Sequence, residues 1–358
     1  MHCNKLIHCN KLKILKKIIY TIIYGIIGIS FSQTIILRSH LIKYNKNTSD
    51  KYNNMVKNII YKSLPFFYQN CTDSPLYYKG RYKPSNKIDI VVCNHLFMYD
   101  SFIPISIIRQ TDNRNIYLVF DKKQLLYPGY GLIFLNTPDF KTNNGIEKDT
   151  VHILDTINNK LDDIDSGIIL VFPEGDYFSN KNYNNSISYS KKNSLHQFNN
   201  LLYPKMKGLY TISNRLKQLN KLGNIIDMTI CLENFKNKDC NIYNILTHDI
   251  GRTNVIITSY KSNYNINTYD EFKEYFIKIW KKKDTTYNIN RDNNYRDNNY
   301  RDNNYQYIKP ILNKFNKNII IFIVFIFSLL VLLTFGTYYS LSFIASYYII
   351  FKYFKQYC

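Results

Sequence analysis

Thirty-four consecutive residues, Asn318 to Phe351, carry no charge. As one straight helix they would reach about 51 Å, well past the ~30 Å hydrocarbon core of a bilayer. Such a stretch must be kept from water, and its length requires it to tilt or fold back. The motif TFGTYYS, Thr334 to Ser340, divides it into two apolar halves, Ile319 to Leu333 and Leu341 to Phe351. Each half is short for a full crossing, so a re-entrant hairpin is expected, with two packed spans as the alternative. Ile18 to Leu37 is a second uncharged run, 20 residues long, enough to cross a bilayer once as an uncleaved anchor. It is longer than a usual signal-peptide core and has no small-x-small cleavage site. Lysines lie on both sides of it, so charge leaves its orientation open.

Between these segments the pattern changes to that of an α/β domain. IDIVVC (Ile88 to Cys93), IYLVF (Ile116 to Phe120), GIILVF (Gly167 to Phe172), IIDMTIC (Ile225 to Cys231) and NVIITSY (Asn254 to Tyr260) read as buried strands. Glu147 to Leu161 and Tyr269 to Lys282 read as helices. The alternation predicts a mostly parallel central sheet flanked by helices, with chemistry in loops at the carboxyl ends of strands. The expected organisation is an N-terminal membrane anchor over 1–40, an α/β domain over 41–285, a linker over 286–317 and a hydrophobic hairpin or transmembrane segments over 318–358. The linker holds RDNNY three times, from Arg291 to Tyr305, without apolar periodicity, and is expected to be disordered.

The chain carries 47 Lys+Arg against 26 Asp+Glu, a formal charge of +21, which favours a polyanionic partner such as an anionic lipid surface. Charge alone does not separate lipid from nucleic acid. The seven cysteines are scattered with no C-x-x-C pair, so neither a disulfide framework nor a zinc site is indicated. They read as reduced thiols in a cytosol-facing protein.

Two motifs stand at strand ends. After Cys93 come Asn94, His95 and, five residues beyond the histidine, Asp100. If a helix begins there, the carboxylate reaches back to one imidazole nitrogen, fixing the tautomer while the other nitrogen takes a proton from a substrate hydroxyl. The plainer reading is that Asn94 caps a helix and the histidine is incidental. After Gly167 to Phe172 come Pro173, Glu174 and Gly175, where proline ends the strand and glycine permits a sharp turn or a close approach of backbone to ligand.

Taken together, these residues resemble the glycerolipid acyltransferase family, which includes the lysophosphatidic acid acyltransferases. Asn94, His95 and Asp100 fill its N-H-x-x-x-x-D pattern, and Phe172, Pro173, Glu174 and Gly175 fill F-P-E-G. Asp121 to Gly131 looks like the K-x-x-L-x-x-P-x-x-G block of its lysocardiolipin and lysophosphatidylinositol acyltransferase-like branch. Leu201 to Leu209 looks like the branch's L-x-P-R-x-x-G-F block, and IIDMTIC like its Y-D-V-T-I block. The resemblance implies transfer of a fatty acyl group from acyl-CoA to a lysophospholipid hydroxyl, in the first place lysophosphatidic acid. His95 would be the general base and Asp100 its orienter. Asn94 and Phe172 to Gly175 would lie at the substrate, with Lys122, Lys123, Lys205 and Lys207 as candidate cations for its phosphate.

Acyl-CoA is then a co-substrate, and no cofactor or metal is expected. The expected partners are the lysophospholipid and a bilayer with anionic lipids, without nucleic acid. The expected location is the endoplasmic reticulum membrane, with the catalytic domain facing the cytosol. Two departures bear on the acceptor. Phe134 to Asp149 contains no arginine where the family usually has Phe-Ile-x-Arg, and Asp176 and Tyr177 follow F-P-E-G where threonine is common. Acylation of another lysophospholipid, or lipid binding with weak catalysis, are the alternatives.

Overall fold

In the computed structural model the described residues are 12–21, 61–97, 100–126, 139–142, 146–234, 242–261, 267–296 and 305–309. Almost all of the N-terminal uncharged run, and the whole C-terminal one, lie outside them. Among the described residues no helix is long and apolar enough to cross a membrane. The chain divides into two units. One takes in Met1–Phe67, Gln124–Thr137 and Pro310–Cys358. Its described part includes a helix at residues 12–21 (α1), on which Leu12, Leu15, Ile18 and Ile19 are exposed. A second helix, residues 61–72 (α2), begins in this unit and ends in the other.

The other unit, Tyr68–Lys123 with Pro138–Lys309, holds the sheet. Its strands are β1 (Leu76–Gly80), β2 (Ile88–Cys93), β3 (Ile116–Asp121), β4 (Phe140–Thr142), β5 (Gly167–Val171), β6 (Leu222–Leu232), β7 (Thr253–Tyr260) and β8 (Gln306–Tyr307). They lie in the order β4-β3-β5-β2-β6-β7-β1-β8. The strands β4, β3, β5, β2 and β6 all run parallel. β2 is buried at all six positions, as a central parallel strand covered on both faces should be.

The helices of this unit are α3 (Phe102–Thr111), α4 (Ile146–Lys160), α5 (Asn180–Lys192), α6 (Met206–Gln218), α7 (Ile242–Thr247) and α8 (Tyr269–Arg296). On one face of the sheet, Ile153 and Ile157 of α4, Leu209, Ile212 and Leu216 of α6, and Phe272, Phe276 and Trp280 of α8 pack with Ile88, Ile90, Val92, Ile169 and Ile225. The i, i+4 spacing of Phe272, Phe276 and Trp280 stacks their rings 5.8 Å apart along α8.

The sheet is mostly parallel, as expected, and two details go beyond that reading. β7 runs antiparallel to β6 rather than with it. Past the carboxyl end of β6, Glu233 N donates to Arg252 O (2.9 Å) and Asn234 N to Ile250 O (3.2 Å), which extends the antiparallel pairing of the two strands. Also, α8 continues past Lys282 to Arg296, into the segment expected to be a linker. Lys283, Asp284 and Tyr287 are buried, so packing carries the helix beyond its apparent end.

At the amino end of β2 a second buried charge is fully matched. Asp89 accepts from Ser85 N (2.9 Å), Ser85 Oγ (2.6 Å), Asn224 N (2.6 Å) and an Arg114 guanidinium nitrogen (2.6 Å). Replacing it with alanine would take the carboxylate from Ser85 N, Ser85 Oγ and Asn224 N and leave Arg114 to Asp112. Asp89→Ala should therefore cost about 3–5 kcal/mol, read as a fall in the denaturant midpoint.

Candidate active site

The two motifs leave adjacent strands, β2 and β5, at their carboxyl ends and meet there. Phe178 N donates to His95 O (2.9 Å), and the His95 and Phe172 rings are 4.7 Å apart. The Tyr177 ring lies 6.2 Å from His95 on edge.

His95 and Asp100 are joined as the spacing suggested, but not on a helix, since α3 begins only at Phe102. The chain turns through Asp100 N donating to Phe97 O (3.2 Å). The Asp100 carboxylate has no exposed surface and accepts from the backbone amides of Leu96 and Phe97. His95 Nδ1 is 3.0 Å from Asp100 Oδ2 and 2.9 Å from Oδ1. With Nδ1 held as a donor, Nε2 is left with a lone pair, the tautomer a general base requires. The His95 side chain is 15% exposed, so a substrate can approach it.

Asn94 does not cap a helix. Its fully buried amide donates to Ile230 O (3.0 Å) and accepts from Ile230 N (2.8 Å), extending the β2–β6 pairing by a side chain. Both ends of the amide are engaged there, so Asn94 anchors the root of the histidine loop.

Glu174 is also turned inward, only 3% exposed. Burial pushes its carboxyl well above the ordinary 4.5, opposed by the backbone amides of His95 and Leu202. His95 N lies 3.4 Å from Glu174 Oε1. Glu174 thus links the histidine loop, its own turn and the Leu201–Lys207 segment.

Gly175 has φ +70°, which favours glycine. An added Cβ there would lie 2.9 Å from Lys205 Nζ and 3.0 Å from its Cδ. The Lys205 side chain therefore lies along the turn, and Lys205 N donates to Pro173 O (2.7 Å). This is the predicted cation that the fold brings to F-P-E-G. Lys207 is exposed in the first turn of α6, and Lys122 and Lys123 are exposed at the carboxyl end of β3. The exposed Asp176 accepts from Tyr177 N (2.9 Å). Of the segment lacking arginine, residues 134–138 and 143–145 lie outside the described residues.

The nearby thiols, Cys93 and Cys231, are buried. Burial raises Cys93 and pushes Cys231 up to about 12, so neither is a thiolate near neutral pH. No group of His, Cys, Asp and Glu among the described residues could hold a metal.

No family model and no curated protein sequence matches the chain. Among solved structures, the 1-acyl-sn-glycerophosphate (LPA) acyltransferase PlsC from Thermotoga maritima is similar to it at 15% identity. That similarity covers 76% of this chain and 94% of the other, with a TM-score of 0.44.

The buried Glu174 generates a pH-dependent prediction. Its raised carboxyl means that the folded state keeps a proton the unfolded chain releases above about pH 4.5, so the glutamate's contribution to stability falls as pH rises through that window. Glu174→Gln keeps the amide-accepting oxygen without the titration. The variant should gain stability relative to the parent between pH 5 and pH 8, a gain that vanishes near pH 4, as followed by thermal unfolding at each pH. Separately, Gly175→Ala forces a side chain into positive φ and moves Lys205. It should cost about 1–2 kcal/mol, read by thermal unfolding.

Proposed function

We propose that this chain is a membrane-associated acyl-CoA:lysophospholipid O-acyltransferase. The observation that carries the reading is the His95–Asp100 pair, made at 2.9 to 3.0 Å and presented beside the F-P-E-G turn and Lys205. His95 Nε2 takes the proton of the acceptor hydroxyl as its oxygen attacks the thioester carbonyl. Asp100 stabilises the imidazolium, and the proton then goes to the departing CoA thiolate. The acyl–sulfur bond breaks as the acyl–oxygen bond forms.

Lys205 supplies positive charge for the acceptor phosphate, and Lys207, Lys122 and Lys123 are additional candidates on the surface. Asp176, with its carboxylate turned to Tyr177 N, need not repel that phosphate. Lysophosphatidic acid is the first acceptor to try. The absence of arginine from Phe134 to Asp149 favours including lysophosphatidylinositol and lysocardiolipin. The uncharged segments and the excess of basic residues support a place on an anionic internal membrane such as the endoplasmic reticulum, with the α/β domain toward the cytosol.

The test is acyl transfer from labelled acyl-CoA to a panel of lysophospholipids by the full chain in detergent. The parent should acylate at least one acceptor, and His95→Ala should lower kcat/KM by about a hundredfold or more. An alanine variant as fast as the parent would remove His95 from the mechanism. Tight lysolipid binding with no turnover by the parent would point to a binding protein of the same fold.

A further inference from the structure

Lys283 is fully buried, although it sits in a Lys281-Lys282-Lys283 run that looks like a solvated helix face. Its ammonium is 2.7 Å from Asp227 Oδ1 and donates to Met228 O (2.7 Å) and Val92 O (3.5 Å), 5.0 Å from the centre of the Trp280 ring. A charge so deep is tolerated only when paired and hydrogen-bonded. Its location is what matters for function. Val92 pairs with Asp227 and Cys93 with Met228, the last backbone-paired positions of β2 on β6. Immediately beyond them Asn94 replaces the ladder with its side chain on Ile230, and His95 follows.

Two clamps therefore stand where the base-carrying loop leaves the sheet. Asn94 acts from within the loop. Lys283 reaches from α8, 188 residues after His95, and ties Val92 O near the end of β2 to Met228 O, its neighbour within β6. We infer that the Lys283–Asp227 pair is a positioning device for catalysis, fixing the point at which β2 delivers Asn94 and His95 to the substrate. Neither residue touches the reacting atoms. Burial raises the Asp227 carboxyl, and the Lys283 charge opposes that rise; the same ammonium opposes the effects of burial on Glu174 and Cys93. The charge is thus felt on both strands that carry the site motifs. The inference rests on the acyl-transfer reading for its kinetic consequence, and on geometry alone for the pinning.

The experiment separates positioning from plain stability. Replacing both members by apolar residues of similar size removes the burial cost together with the attraction, so Lys283→Met with Asp227→Leu should keep the melting temperature near that of the parent. If the pair positions His95, kcat in this double variant falls about tenfold to a hundredfold while KM changes less than about twofold. Deuterium exchange of the segment from Cys93 to Phe97 should then be faster than in the parent. Parental kcat and parental exchange in the stable double variant would overturn the proposal. Should that variant not fold, Lys283→Arg keeps a charge against Asp227 but puts a planar fork where a point donor sat. It is expected to show the same loss of kcat and faster exchange, and parental values there overturn the proposal equally. If the parent itself transfers no acyl group, the acyl-transfer reading fails and exchange alone decides the pinning.

Discussion

Asp100 is a carboxylate with no exposed surface, and the candidate site is built around the contacts made to its Oδ2. An isolated buried charge would neutralise or unfold its surroundings. Two backbone amides and one imidazole nitrogen are bent toward it instead. That requirement shapes the loop into a tight turn and gives His95 its tautomer. The same contacts that pay the desolvation cost are the ones that prepare a general base.

This arrangement depends on how β2 ends. A loop that leaves a central parallel strand would swing unless its root were fixed. Asn94 fixes it with both ends of one amide, and Lys283 stands beneath with its own ties to both strands. Glu174 then couples that loop to the neighbouring turn through backbone amides rather than charge. Asp284, one residue after Lys283, receives Asn199 N and Asn200 N, and Trp280 donates to Leu202 O. One helix, α8, thereby supports both strands, β2 and β6, and the segment that leads to Lys205.

Much of the sheet was legible from local pattern. IDIVVC is a strand from Ile88 to Cys93, as read, because a continuous apolar run between turns has few other outcomes. IIDMTIC and NVIITSY are strands too, somewhat longer than read. The short strands β1, β4 and β8 were missed, since five residues or fewer leave little periodicity. Within the site, the spacing of His95 and Asp100 was enough to suggest their contact, because two side chains five residues apart can meet through one turn. Asn94 and Glu174 were read as facing a ligand, and only their partners at Ile230, His95 and Leu202 turn them inward.

By itself the sequence determined where apolar runs lie, that strands and helices alternate, and that a histidine and an aspartate stand at a strand end. Those properties are written in neighbouring residues, so periodicity and turn chemistry reveal them. Only the tertiary structure decided that β7 returns antiparallel, that α8 continues to Arg296, that Lys205 lies over Gly175, and that Lys283 is buried while Lys281 and Lys282 stay exposed. The physical reason is that burial of a charge is set by its partner. The partner of Lys283 is Asp227, which stands 56 residues away in the chain, beyond the reach of any local pattern.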